Sequence, residues 1–201
     1  GRWGRRLPPG TETDAVTATG DDFWVFAYGS LMWRPGFAYV EARPALLRGY
    51  HREFCVYSHR HRGTPERPGL VLGLDRGGCC RGLAFRVVAA DREAVVRYLA
   101  EREMSTATYE PRTLPVATEA GRLLVYAFVA RRDHPQYAGK LPVERAAALI
   151  MQGQGISGLN RDYLINTIRR LETLGFVDKR LHALLAEVKW RTGEIDAGSG
   201  I

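Results

Sequence analysis

The hydrophobic residues of this chain change their spacing near residue 91, and this change limits the folds that the chain can form. Up to residue 88, short runs of aromatic and β-branched residues alternate with turns that contain glycine and proline, which is typical of strands. From 91 to 104, apolar residues recur at helical spacing, at Val95, Val96, Leu99 and Ala100. More strands and then a helical C-terminal part follow. This order predicts an α+β fold with mostly antiparallel pairing.

Six segments are predicted to be strands, at 23–27, 45–57, 70–74, 81–88, 109–118 and 122–130. The second segment has the length of one long strand or of two. Turn sequences at 76–78 and 119–121 predict that the third and fourth strands form one hairpin and the fifth and sixth another. About six short strands around one helix predict a small closed or half-closed barrel.

Three helices are predicted after the last strand. Pro142 is suited to the first turn of a helix that runs to about residue 152. Ser157 or Asn160 is placed to cap a second helix, and Asp178 is placed to cap a third that ends near residue 191.

The 201 residues are enough for one domain with a hydrophobic core. We expect this domain to span residues 21–192. Segment 1–20 contains Pro8, Pro9 and Gly10 and a threonine-rich stretch, so it is predicted to be a disordered tail, either native or left from cloning. Segment 193–201 is predicted to be a flexible C-terminal tail.

The composition gives little support to several classes of function. The formal net charge is +7, but the basic residues are scattered in runs too short for a nucleic-acid-binding patch. No stretch approaches the roughly 18 apolar residues that a membrane span needs. The three cysteines are odd in number and include an adjacent pair, which does not form a disulfide framework and favours the reducing cytoplasm.

The first candidate site is the turn Tyr28-Gly29-Ser30-Leu31, which ends the strand 23–27. A sharp turn after a strand points successive backbone N–H groups the same way, so it can hold a carboxylate or a developing oxyanion. Gly29 permits a ligand to approach the backbone closely. By itself, a tetrapeptide of this kind is more often an ordinary turn.

The second candidate is a carboxylate. Glu103 lies at the C-terminal end of the predicted helix 91–104, where the helix dipole disfavours negative charge. A raised pKa results unless something offsets the dipole, and it suits proton transfer. On chemistry alone, however, Glu101 and Glu110 are near-equal candidates.

Other types of active site find little support. The candidate metal ligands are Cys55, His59, His61, Cys79 and Cys80. Their spacing matches no standard zinc pattern, so no metal is expected. Ser30 lacks the Gly-x-Ser-x-Gly motif of a serine nucleophile, and no Walker or dinucleotide-binding motif occurs.

Several segments become specific only when they are taken together and in order. They are VFAYGSLMW at 25–33, HRGTPERPG at 61–69, Tyr98-Leu99 with Arg102-Glu103, Tyr109, PQYAG at 135–139 and GxSGxNxxYL at 155–164. This ordered set resembles the ChaC family, the glutathione-specific gamma-glutamylcyclotransferases. The resemblance covers about residues 23–191.

The resemblance implies a mixed, largely antiparallel six-stranded β-barrel with flanking helices. It also implies a reaction, in which the α-amine of a γ-glutamyl group attacks its own γ-carbonyl. From reduced glutathione the products are 5-oxoproline and Cys-Gly. The resemblance assigns the catalytic carboxylate to Glu103. It assigns the substrate-binding turn to Ala27, Tyr28, Gly29, Ser30, Leu31 and Met32.

Tyr109 and Tyr137 are expected to donate hydrogen bonds near the pocket, and no cofactor is needed. One departure concerns the segment after the catalytic residue, where the family often has glycines and this chain has Met104-Ser105-Thr106. That loop is expected to be stiffer.

Two alternative functions stay open. The first is a cyclotransferase for other γ-glutamyl amino acids or γ-glutamyl amines, because the same turn and carboxylate would serve all these substrates. The second is a non-enzymatic regulator of cation transport, in which Glu103 and the turn would have no reason to occur together. The sequence does not specify the oligomeric state.

Overall fold

The computed structural model describes residues 22–103 and 107–193. The predicted tail 1–20, the loop 104–106 and all but the first residue of the predicted tail 193–201 lie outside the described residues. The domain bounds 21–192 therefore stay a prediction.

Five strands form a closed barrel. They are β1 (Phe23–Ala27), β2 (Glu41–Ser58), β3 (Gly69–Val87), β4 (Tyr109–Thr118) and β5 (Gly121–Ala130). The pairs β1–β3, β3–β2, β2–β4 and β4–β5 are antiparallel, and a parallel contact between β5 and β1 closes the barrel. The predicted α+β class and the mixed, largely antiparallel barrel are confirmed.

The barrel has five strands instead of the predicted six because 70–74 and 81–88 belong to one continuous strand, β3. The predicted hairpin at 76–78 is therefore wrong. Gly77 and Gly78 do have positive φ angles, of 100° and 67°, but they form a bulge opposite Gly49 of β2. Because β2 is equally long and pairs with β3 on both sides of this bulge, the two strands bend together and neither one ends.

The helices follow one another along the chain in the order that was predicted. They are α1 (Arg92–Glu103), α2 (Val143–Gln152), α3 (Asn160–Thr173) and α4 (Lys179–Thr192), and a short hairpin of β6 (Gln154–Gly155) and β7 (Gly158–Leu159) precedes α3. Asp178 caps α4 as predicted, since its side chain accepts a hydrogen bond from the Leu181 N–H. None of the described helices combines the length and the apolar character that crossing a membrane requires.

One edge of β3 is paired with side chains instead of a strand. The Asn160 amide donates to the Leu70 carbonyl at 2.8 Å and accepts from the Leu70 N–H at 2.7 Å. Two residues further on, the Tyr109 hydroxyl donates to the Leu72 carbonyl at 2.7 Å, and the Tyr163 hydroxyl accepts from the Leu72 N–H at 3.2 Å. Buried backbone groups need such partners, so these contacts fix α3 and β4 against β3.

This arrangement corrects the prediction for the start of α3. Neither Asn160 nor Ser157 caps this helix, because α3 has no side-chain cap and Leu159 occupies the N-cap position. The Asn160 amide is occupied by Leu70, and the Ser157 hydroxyl lies 2.8 Å from the His61 ring.

The variant Asn160→Ala is expected to destabilise the protein. It would leave the N–H and the carbonyl of Leu70 buried without partners, at a cost of about 2–4 kcal/mol, or roughly 5–15 °C in Tm. Chemical and thermal unfolding measure this effect. The exposed Asn166 on the same helix provides the control, because Asn166→Ala should change the stability by less than about 0.5 kcal/mol. Equal stability of the two variants would contradict the role given to Asn160.

Candidate active site

A cavity of about 600 Å³ opens where the turn after β1 meets the C-terminal end of α1. Residues of all five barrel strands, of α3 and of the loops near residues 60 and 136 also line it. Tyr28, Gly29, Ser30 and Leu31 line it, and so does Glu103. The two candidate sites found in the sequence therefore belong to one cavity. They are far apart in the chain, since Ser30 and Arg102 are separated by 72 positions.

The turn presents backbone N–H donors. After Gly29 the chain enters a single 3₁₀ turn, Ser30–Met32, in which the Met32 N–H donates to the Gly29 carbonyl at 2.9 Å. The N–H groups of Ser30 and Leu31 have no acceptor among the described residues. Such adjacent donors beside a cavity suit a carboxylate or an oxyanion.

Buried Arg52 anchors the turn from behind. Its Nε donates to the Tyr28 carbonyl at 2.6 Å, and a terminal nitrogen donates to the Arg81 carbonyl at 2.6 Å. The other terminal nitrogen lies 3.3 Å from the Asp178 carboxylate, which keeps this buried cation paired. The position of the turn therefore depends on β2, β3 and the cap of α4.

Arg102 connects the turn to the end of α1. One terminal nitrogen donates to the Ser30 hydroxyl at 2.9 Å. The other donates to the Arg34 carbonyl at 2.5 Å and to the Tyr98 hydroxyl at 3.1 Å. The Nε lies 3.5 Å from the Glu103 carboxylate. The Arg102 guanidinium thus contacts both the turn and Glu103 and fixes their relative position.

The environment of Glu103 shifts its proton affinity. Burial raises the pKa of Glu103 above its ordinary value, and the charge of Arg102 offsets part of this shift. A raised pKa makes the carboxylate a stronger base.

Three phenols surround the same space. Burial is the largest cause that raises the pKa of Tyr28, Tyr109 and Tyr163, and the negative charge of Glu103 raises each of them further. At neutral pH these hydroxyls therefore keep their protons. All three line the cavity, so they present neutral polar groups beside the carboxylate.

Three of the residues predicted for the site lie outside the cavity wall. Ala27 and Met32, at the two ends of the turn, are buried in the core. The Tyr137 hydroxyl donates to the Asp75 carboxylate at 2.6 Å, and its neighbour Gln136 lines the cavity. Tyr137 therefore anchors a segment of the wall without forming part of it.

The cavity also has a cationic rim that the sequence did not indicate. Arg34, Arg60 and Arg62 line it together with Arg102. The charges of Arg60, Arg62 and Arg102 add to the effect of burial, the largest cause, in lowering the pKa of His61. Such a concentration of positive charge suits an anionic ligand.

The cysteines and histidines show no metal-binding arrangement. Within 22–103 and 107–193, no three or more His, Cys, Asp or Glu side chains are grouped to hold a metal ion. Cys55 and Cys80 are buried, Cys79 is exposed, and all three are free thiols.

Arg102, Tyr163 and Arg62 line the cavity but were absent from the predicted set of site residues. Arg102 and Tyr163 lie inside the motifs that carry the family resemblance, next to Glu103 and at the start of α3, but their contacts cannot be deduced from those motifs. Arg62 lies in the segment 61–69, and no local signal distinguishes it from the neighbouring arginines.

Comparison with known families identifies the family of this chain. The model of ChaC-like proteins matches residues 23–191. The chain belongs to the ChaC-like family. The matched segment contains the turn, Glu103 and every residue of the cavity wall named above.

Individual relatives are also similar to this ChaC-like protein. The glutathione-specific gamma-glutamylcyclotransferase of Escherichia coli K12 is 35% identical over 167 residues, which are 83% of this chain and 72% of that protein. Gamma-glutamylcyclotransferase 2-3 of Arabidopsis thaliana is 36% identical over 83% of this chain and 88% of that protein. The crystal structure of a yeast gamma-glutamylcyclotransferase specific to glutathione shares the fold, with a TM-score of 0.78 at 22% identity over 89% of this chain and 99% of that one.

The titration of Glu103 is expected to depend on Arg102. In the parent protein, the pKa of Glu103 should lie above its ordinary value. In Arg102→Gln it should rise further, because the positive charge that lowers it is removed while burial remains. Carboxyl-detected NMR titration measures both values. Arg97→Gln removes an exposed charge from the same helix and should have a much smaller effect. An unchanged or lower pKa in Arg102→Gln would contradict the electrostatic assignment.

Proposed function

We propose that this ChaC-like protein is a glutathione-specific gamma-glutamylcyclotransferase that converts reduced glutathione to 5-oxoproline and Cys-Gly. The observation that carries the proposal is the joint position of Glu103 and the turn, held together by Arg102 at one cavity. A base with a raised pKa beside unpaired N–H donors is what an intramolecular acyl transfer needs. The names of the relatives support the substrate, and the cationic rim suits its two carboxylates.

The reaction begins with a conformational task. Nucleophile and electrophile belong to the same γ-glutamyl group, so the enzyme has to fold this group into a five-membered arc in which the α-amine meets the γ-carbonyl. The N–H groups of Ser30 and Leu31 can fix the glutamyl α-carboxylate or the oxyanion. The hydroxyls of Tyr28 and Tyr109 are further polar groups of the wall.

Glu103 then moves a proton between two nitrogens. As the amine nitrogen bonds to the γ-carbon, Glu103 accepts the proton that this nitrogen loses. As the bond from the γ-carbon to the cysteine nitrogen breaks, Glu103 returns the proton to that nitrogen. The base is thus restored in each turnover, and the step requires no metal and no redox cofactor.

A reducing compartment such as the cytoplasm is part of the proposal. It is supported by the three free thiols and by a substrate that is itself a reduced thiol.

An assay of the purified protein tests the proposal. Incubation with reduced glutathione should release 5-oxoproline and Cys-Gly in equal amounts, as followed by a coupled assay for Cys-Gly. Much faster turnover of γ-Glu-Ala or γ-Glu-ε-Lys would favour the cyclotransferase for other γ-glutamyl substrates. No turnover of any γ-glutamyl substrate would favour the non-enzymatic regulator.

The variant Glu103→Gln is expected to lose activity without losing its fold. Gln keeps the size of the side chain but cannot accept the proton, and a general base typically contributes about 10²–10⁴-fold to turnover. We therefore expect kcat to fall by at least about 100-fold. Binding of glutathione, measured by calorimetry, should persist because the turn and the tyrosines remain.

The same variant also tests the electrostatic cost of Glu103. The folded-state pKa is raised, so the folded protein binds this proton more tightly than the unfolded chain, and stability falls as pH rises between the two pKa values. At neutral pH, Glu103→Gln should be at least as stable as the parent. A negative charge at the C-terminal end of a helix opposes the helix dipole by about 0.3–1 kcal/mol, and the variant removes this charge. The matched variants Glu101→Gln and Glu110→Gln should stay active. An inactive Glu101→Gln beside an active Glu103→Gln would overturn the assignment.

The variant Gly29→Ala is expected to fold normally but to bind substrate poorly. A Cβ atom at Gly29 would lie 3.4 Å from Leu72 Cδ1 and 3.6 Å from the Tyr163 hydroxyl, which are ordinary contacts. The added methyl group would, however, separate the substrate from the N–H groups of the turn. We expect kcat/KM to fall by about 10-fold or more, with Tm nearly unchanged. Unaltered kinetic constants in the folded variant would remove the turn from the mechanism.

A further inference from the structure

Arg62 occupies a defined position on the cavity wall. A terminal nitrogen of its guanidinium donates to the Leu159 carbonyl at 2.9 Å, just before α3 begins. The central carbon of the guanidinium lies 5.5 Å from the centre of the Tyr163 ring, within the range of a cation–π contact. The side chain is half-buried, and its other donors have no partner among the described residues.

The backbone around Arg62 is held by closely packed glycines. Its N–H donates to the Ser58 hydroxyl at 2.9 Å. Its carbonyl is packed so tightly that a Cβ atom at Gly69 or at Gly153 would lie 2.2 Å or 2.4 Å from the carbonyl oxygen. Side chains are therefore excluded from both positions, which explains two glycines that the mechanism leaves unused.

The β6–β7 hairpin holds the same loop from the other side. The Ile156 N–H donates to the Arg60 carbonyl and the Ser157 N–H to the His61 carbonyl, both at 2.9 Å. Arg62 is therefore presented by a loop that is fixed on two sides before any ligand binds. Preorganisation of this kind reduces the entropy that binding costs.

The guanidinium of Arg62 forms no ion pair within the described part of the chain, and the exposed carboxylate of Asp162 favours its charged form only from a longer distance. No carboxylate lies within 4.0 Å of its guanidinium there, whereas buried Arg52 is paired with Asp178 and Arg102 with Glu103. Burial is the largest cause that lowers the pKa of Arg62, which reports the cost of desolvating this cation. A guanidinium keeps its proton under such conditions, so an anionic ligand is the partner that would offset the cost.

Tyr163 lies near both Arg62 and the turn. Its hydroxyl lies on the side of Gly29, where a Cβ atom would be 3.6 Å away, and Arg62 packs over its ring. A ligand that has its γ-glutamyl group at the turn would pass this ring before it reaches Arg62.

We propose that Arg62 binds the glycyl carboxylate of glutathione and thereby selects glutathione over γ-glutamyl compounds that lack a carboxylate at this position. The inference rests on the proposed function and adds to it the residue that recognises the leaving dipeptide. The planar guanidinium suits a bidentate contact with a carboxylate.

Two substrates that differ only in this carboxylate provide the test. They are glutathione and its glycyl amide, γ-Glu-Cys-Gly-NH₂, and kcat/KM is measured for both. The parent protein should prefer glutathione by about 10- to 100-fold, the value of hydrogen bonds to a charged group. In Arg62→Gln, kcat/KM for glutathione should fall by a similar factor while that for the amide stays nearly constant. In Arg62→Lys, the preference should be intermediate.

Arg67→Gln is the matched control, because Arg67 is an exposed arginine of the same loop and does not line the cavity. It should keep the preference of the parent. Equal cleavage of both substrates by the parent protein would overturn the inference without any variant. An undiminished preference in Arg62→Gln, or an equal loss for both substrates, would also overturn it. Failure of the parent to cleave glutathione at all would instead contradict the proposed function itself.

Discussion

The structure depends on which groups form hydrogen bonds with the backbone at one edge of β3. Leu70 and Leu72 have backbone groups that no strand beyond β2 covers, and buried groups of this kind cost free energy when they stay unpaired. The side chains of Asn160 and Tyr163 from α3 and of Tyr109 from β4 take the place of the missing strand. The barrel and the helical C-terminal part are thereby joined by hydrogen bonds.

This joint also creates the electrostatic character of the cavity. Tyr163 and Tyr109 reach the backbone of β3 with their hydroxyls, and both residues line the cavity together with Glu103. Burial raises the pKa of the Glu103 carboxylate, and the positive charge of Arg102 offsets part of this rise. Because Arg102 also binds Ser30, the same residue adjusts the base and fixes its distance from the turn. Stability and chemistry are coupled through a few side chains.

The sequence predicted those parts of the fold that follow from local patterns. The strand 23–27, the hairpin of β4 and β5, the helical spacing before Glu103 and the cap at Asp178 all depend on residues within a few positions of one another. The division of β3 was predicted wrongly because glycines such as Gly77 mark a hairpin turn and a β-bulge equally well. The length of the partner strand β2 decided between the two, and pairing partners are not encoded locally.

The candidate site also has features that local sequence predicts and features that depend on tertiary contacts. The sequence by itself determined which chemical groups are available: a carboxylate at a helix end, a glycine turn after a buried strand, and the ordered motifs of the family. Only the tertiary structure decided that Arg102 connects the two, that Asn160 serves β3 instead of capping α3, and that Tyr137 contacts Asp75 outside the cavity. These contacts join residues 62 to 90 positions apart in the chain. Their partners are selected by barrel closure and burial, which no local pattern of residues specifies.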